Sequence, residues 1–158
     1  QVSIVSNPLK TVLVEGSFKI SRNSKSVKFT LKTRLALDYL DVRIGTWIVA
    51  LKDILVVRKT RNSTNLKQSV NVSINLVDGK CICKEGGVQN CYPPIQRFEI
   101  NFNVNAEKLT TFNELLWFTV NCPTTMVDLY FDFWPEFVST ADYGDFEVTA
   151  TLLFRRLQ

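Results

Sequence analysis

No histidine occurs anywhere in the chain. Its absence removes Ser-His-Asp and Cys-His nucleophile systems, His-ligated metals and the commonest general base. Glycine (6) and proline (5) are sparse among the 158 residues. Collagen-like and Gly-rich disordered compositions are therefore excluded, and there is no Gly-rich loop to cradle a phosphate. Long apolar runs are missing too, whereas a bilayer span needs about 20 residues. The longest candidate, "GTWIVALKDILVV" at residues 45–57, stops at Arg58 and carries Lys52 and Asp53 near its middle. Each of those charges would cost about 3 kcal/mol in hydrocarbon, so no membrane span is expected. No signal-peptide pattern stands at Gln1, so the chain reads as mature or as cut from a longer one, and Gln1 does not say whether it is a native terminus.

What is present is the makings of a β-protein. Apolar residues make up 46% and charged residues 22%, and a chain of this length fits one domain, 1–158, that can bury roughly 70% of its unfolded surface. Residues 27–37 alternate Val27, Phe29 and Leu31 against Lys28, Thr30 and Lys32, the period of a half-buried strand. Residues 68–77 alternate Val70, Val72, Ile74 and Leu76 against Asn71, Ser73 and Asn75. The same period returns at 97–105 with Phe98, Ile100, Phe102 and Val104. It returns again at 126–134 with Val127, Leu129, Phe131 and Phe133, and at 146–156 with Phe146, Val148, Ala150, Leu152 and Phe154. Strands are also read at 11–20, 45–57 and 115–122. Residues 45–57 are rich in β-branched side chains, with Trp47, Val49 and Leu51 on one face. Only 106–116, "AEKLTTFNELL", reads as helix.

Eight strands without helical crossovers predict antiparallel pairing in a sandwich or barrel. Eight strands in two Greek keys form the jelly roll. The competing Ig-like sandwich wants a Cys–Trp–Cys core, whereas Trp47 here precedes every cysteine, so the jelly roll is favoured. With the strands lettered B to I, the B–C, D–E, F–G and H–I connections share one end and C–D, E–F and G–H share the other. The first end gathers Arg22, Lys25, Arg58, Lys59 and Arg61 with Glu136, Asp142 and Asp145. The second gathers all four cysteines.

Those cysteines are Cys81, Cys83, Cys91 and Cys122. Four thiolates could hold a tetrahedral zinc, but this spacing is not that of a ribbon or knuckle. Free thiols and two disulfides are open as well, and four cysteines allow three pairings. No other metal and no cofactor is expected. Asp128 and Asp132 share a strand face, yet at ~3.3 Å per residue they stand about 13 Å apart, beyond the ~5–9.5 Å of paired glycosidase carboxylates. Asp142 to Asp145 lack the spacing of a calcium loop. Catalytic residues are therefore not expected. Tyr130 and Trp134 on the outward face of their strand, and Trp117 on the strand before it, suit a subunit contact or a sugar platform. Asn62 and Asn71 head glycosylation triplets, which also arise by chance.

Net charge is +4 but uneven. Residues 1–68 carry 13 Lys/Arg against 4 Asp/Glu, a balance of +9, and residues 69–158 carry 6 against 11, a balance of −5. A basic half can meet nucleic acid, the less favoured reading here, and an acidic half can meet the basic half of a second copy.

Residues 27–57 resemble the opening of small jelly-roll capsid proteins, penton or minor capsid type, of Polinton-like and adenovirus-lineage viruses. The segment covers about a fifth of the chain, and its matching positions are Phe29, Leu35, Leu37, Gly45, Trp47, Val49, Ala50, Leu51, Asp53 and Ile54. Residues 21–26 depart from the Tyr-Pro-Asp-Asn-like turn common in that family. The resemblance implies a non-enzymatic virion protein that assembles with itself, and with other capsid proteins, in a ring or trimer. Arg58, Lys59 and Arg61 would then face Asp142, Asp145 or Glu147 of a neighbour, with Tyr130 and Trp134 supplying apolar contact. The alternative is an extracellular lectin-like or receptor-binding module gripping a glycan or a host receptor.

Overall fold

The computed structural model of the chain describes residues 8–20, 27–59, 66–77, 80–84, 87–102, 107–135 and 144–157. For residues 27, 66–68, 80–84, 87–91, 101–102 and 133–135 it describes the backbone only. Eleven strands lie in these segments: β1 (Lys10–Ile20), β2 (Val27–Arg34), β3 (Trp47–Arg58), β4 (Leu66–Ile74), β5 (Lys80–Lys84) and β6 (Gly87–Cys91) come first. They are followed by β7 (Pro94–Phe102), β8 (Glu107–Thr111), β9 (Phe118–Thr119), β10 (Met126–Pro135) and β11 (Gly144–Arg156).

Two antiparallel sheets result. One runs β1-β11-β3-β8, with β9 also on β3, and the other runs β2-β10-β4-β7. With β1, β2, β3, β4, β7, β8/β9, β10 and β11 lettered B to I, these orders are B-I-D-G and C-H-E-F. That is the jelly roll, and the Ig-like alternative falls. A separate hairpin, β5–β6, fills the E–F connection.

Alternation explains why these segments pair as they do. Val70, Val72 and Ile74 of β4, Val127, Leu129 and Phe131 of β10, and Phe146, Val148 and Ala150 of β11 all point between the sheets and are buried. Of the residues expected there, Trp47, Val72, Phe131 and Val148 are buried, Phe29 is half-buried against the core, and the Phe102 side chain is outside the description. The two sheets are joined at one edge by a column of stacked rings. Phe146 lies 5.1 Å from Phe18, Phe18 4.0 Å from Phe29, and Phe29 5.0 Å from Phe131. Gly16 makes this edge possible, because a Cβ there would run into the Leu31 side chain.

A bulge determines where Lys52 and Asp53 point. In β3, Asp53 pairs with Thr151 but Leu51 pairs with Leu152, so Lys52 is left over. The extra residue flips the strand's parity. Trp47, Val49 and Leu51 point inward before it, and Ile54, Val56 and Arg58 after it. Without the bulge, Asp53 would point into the core. Its by-product is a buried cation, Arg58.

Two expectations fail. Residues 106–116 do not form a helix: Glu107 to Thr111 pair with β3, Leu109 opposite Leu55. Five residues with helix-forming Glu and Lys are overruled by an open sheet edge whose backbone groups need partners. The strand expected at 115–122 shrinks to Phe118–Thr119.

Candidate functional site

Strand β10 runs through the middle of its sheet, so its outward side chains sit among polar neighbours on both sides. Tyr130 stacks on Tyr92 at 5.1 Å between centroids, nearly parallel. Its hydroxyl donates to Asp128 Oδ2 at 3.4 Å, and Lys32 Nζ is 3.8 Å from that same oxygen. Burial, then the negative charge of Asp128, then Tyr92, push the Tyr130 phenol up to about 12. Asp128 and Asp132 flank Tyr130 on the strand. The Oδ1 atom of each is enclosed and has no donor among the described residues. Asn75 splices the edge of this face. Its Oδ1 accepts from the Asp128 N–H and its Nδ2 donates to the Met126 carbonyl, both at 2.9 Å. Trp134, the other aromatic expected here, is described by its backbone alone, register-paired with Ser69.

The charged loop end is assembled within the chain. β3 and β11 pair, bringing Arg58 opposite Phe146. Arg58 is only 7% exposed, with its guanidinium 5.7 Å from the Phe146 centroid. It therefore caps the ring column and cannot be the rim residue expected from its loop position. Lys59 donates its N–H to the Asp145 carbonyl, and its ammonium pairs with Glu147 at 3.2 Å. Part of the complementarity expected between subunits is thus met inside one. Arg61 and Asp142, like Arg22, Lys25, Glu136 and Asn62, fall outside the described residues. Asn71 sits half-buried in β4, opposite Asp132 and Arg97.

At the other end, the Asn121 and Cys122 N–H groups both donate to the Leu76 carbonyl at 3.1 Å. The G–H connection therefore lies against the start of the E–F connection, and Cys122 shares an end with the β5–β6 hairpin. Cys122 is exposed, with a free thiol. In the hairpin Cys81 is paired with Asn90, Cys83 with Val88 and Cys91 with Lys80, so no two cysteines are register partners. The side chains of Cys81, Cys83 and Cys91 are outside the description. Among the described residues, no group of His, Cys, Asp or Glu is arranged to hold a metal ion, and no helix is long and apolar enough to cross a membrane.

A third surface was not anticipated from the sequence. A groove of about 350 Å³ opens between the C–D connection and the ends of β1 and β11. Lys10 lies over the Tyr39 ring at 4.7 Å and also bonds the Tyr39 carbonyl, while the Thr11 N–H donates to the Tyr39 hydroxyl. The Trp47 indole N–H donates to the Ile44 carbonyl at 2.7 Å. Gly45, at φ +84°, lies under the Arg156 guanidinium, where a Cβ would meet Nε at 2.6 Å. The loop so held presents Tyr39 and Ile44 to solvent. The apolar residues Tyr39, Leu40, Val42 and Ile44 among the charges of the loop "DYLDVRIG" were the available signal.

The strand order defines this chain as a jelly-roll β-sandwich. No protein-family model matches it, and no curated protein does. Among solved structures, it is similar to the infectious bursal disease virus Gx strain particle at 14% identity and a TM-score of 0.40, covering 94% of this chain and 32% of that one. A second infectious bursal disease virus particle gives 12% identity and 0.42, covering 96% and 36%. The VP2 subviral particle of the same virus gives 10% and 0.40, covering 94% and 33%. This chain thus spans about a third of the length of each.

Proposed function

We propose that the chain is a non-enzymatic structural subunit of a virus particle, one jelly-roll domain that associates with its own copies and with other capsid proteins. The observation that carries this reading is where the capsid-like segment 27–57 falls. It supplies strands β2 and β3, the C and D strands of the roll. Its positions Leu35, Trp47, Val49, Ala50, Leu51 and Ile54 are buried, Gly45 occupies a left-handed turn, and Asp53 is turned out by the bulge. The motif therefore coincides with the parts of the fold that need those residue types, although Leu37 is exposed.

In this reading the β10 face, with Tyr130 and Trp134, supplies apolar contact. Lys59, Arg61, Asp142 and Asp145 form a charged rim that sets register and association rate, each pair giving about 0–1 kcal/mol. Arg58 belongs to the core and is withdrawn from the interface. The cysteine cluster, whether thiols, disulfides or zinc, acts at the opposite end, and mass spectrometry with and without reductant plus metal analysis separates the three.

Light scattering over a concentration series at low salt tests the reading, with a discrete oligomer as the expected result. A chain that stays monomeric throughout removes it and leaves the binding-module reading. The observation favouring that second reading is the Tyr92–Tyr130 stack beside two carboxylate oxygens without donors among the described residues, an arrangement suited to sugar hydroxyls.

A further inference from the structure

The outer face of the β1-β11-β3-β8 sheet has a composition unlike an ordinary solvated surface. Three successive rows of outward positions can be followed across all four strands by register. One runs Leu13–Thr151–Asp53–Thr111, the next Glu15–Thr149–Leu55–Leu109, and the third Ser17–Glu147–Val57–Glu107. These twelve positions hold four carboxylates (Glu15, Asp53, Glu107, Glu147), four apolar side chains (Leu13, Leu55, Val57, Leu109), four hydroxyls and no base. Leu109 and Leu13 are among the most exposed apolar residues described, at 59% and 53%. The bases on this side lie at its margins: Lys59 is engaged by Glu147, Lys52 is the exposed bulge residue beside Asp53, and exposed Lys19 stands opposite Asp145 beyond the third row.

The outer face of the other sheet is the reverse. Its centre is aromatic, the Tyr92–Tyr130 stack. The exposed charges around that stack are mostly basic: Lys28, Lys32 (which also reaches Asp128), Arg34 and Arg97 against Glu99. Asp128 and Asp132 are half-buried beneath them.

We propose that the acidic, leucine-bearing face of one copy docks on the basic, tyrosine-centred face of a second copy. The inference rests on the self-association reading and names its contact. The occupant is a second copy because the same chain presents both members of the complementary pair: apolar centre to aromatic centre, carboxylate margin to ammonium and guanidinium margin. The two faces lie on opposite sides of the sandwich, so the contact is heterologous. Each subunit offers one of each face, and repetition gives a ring or, without closure, a filament.

Two double variants at exposed positions test it. Glu15→Lys with Glu107→Lys makes both faces basic; Lys28→Glu with Arg97→Glu makes both acidic. Each variant alone is expected to lose at least tenfold in self-association by sedimentation velocity, with an unchanged thermal midpoint as the folding control. Mixed in equal amounts, the two are expected to associate again as a one-to-one hetero-assembly. Leu109→Arg is expected to weaken assembly by a similar factor. If the wild type oligomerises and the variants do so equally well, the inference is overturned and the assembly reading stands. If the variants fail alone and also fail when mixed, the faces do not meet each other and the inference is overturned again. A wild type that is monomeric at every concentration overturns both.

Discussion

Trp47 shows how much a single residue does here. Its ring is 6% exposed, and its indole N–H is satisfied by the Ile44 carbonyl. Truncation to alanine would leave a cavity and an orphaned acceptor. We expect Trp47→Ala to cost about 3–5 kcal/mol, read as a lower urea midpoint. Tyr130 offers a different measurement. Its phenol is held neutral up to about 12 by burial and by Asp128, against an ordinary value near 10. The folded state therefore keeps its proton where the unfolded state releases it. That contribution is complete below pH ~10 and is lost as pH rises through ~12. A spectrophotometric phenol titration should show one late-ionising tyrosine, absent in Tyr130→Phe. Arg58→Glu, by contrast, is a stability change: it would bury a carboxylate against the Phe146 ring.

At the scale of elements, most strands were legible because period-two alternation is a direct record of one buried face. β4, β10 and β11 carry it without interruption. β3 carries it only as far as Lys52, and a bulge cannot be located from apolar spacing when both parities are apolar, as with Leu55 and Val57 against Ile54 and Val56. β8 was unreadable because its pairing depends on β3, some fifty residues away, while its local composition favours helix. The Tyr130 face was legible from alternation, but its stacking partner Tyr92 was not, since Tyr92 lies between strands. The opposite face was missed because the rows combine residues from four distant strands. Asn75 is a further element-level device, its amide standing in for a peptide group where the β4–β10 ladder ends. Asn75→Ala should cost about 1–3 kcal/mol by leaving the Met126 carbonyl and the Asp128 N–H without partners. Faster hydrogen exchange at Asp128, measured by NMR, would report it locally.

For the whole molecule, the uneven charge of the sequence is redistributed by folding. The +9 and −5 halves do not become two halves of the surface. β11, which belongs to the acidic half of the sequence, is inserted between β1 and β3 from the basic half, so Lys59 finds Glu147 internally. Among the described residues, the charge contrast left for partners beside that rim is the difference between two sheet faces. Raising salt should therefore slow assembly without abolishing it, because screening removes steering between exposed charges but leaves apolar contact intact. Stopped-flow light scattering at 50 mM and 500 mM salt, both on the order of the range where screening changes most, would separate rate from extent. The same insertion of β11 sets a timetable for the nascent chain. β1 emerges from the ribosome long before β11, yet its only hydrogen-bonded neighbour among the described strands is β11. Until residues 144–156 are made, the backbone edge of β1 has no strand to pair with, even though Phe18 already has its stacking partner Phe29 in β2. Synthesis at about 5–20 residues per second makes that wait several seconds long, during which the exposed edge is open to chaperones and to the β1 strands of neighbouring nascent chains on the same message.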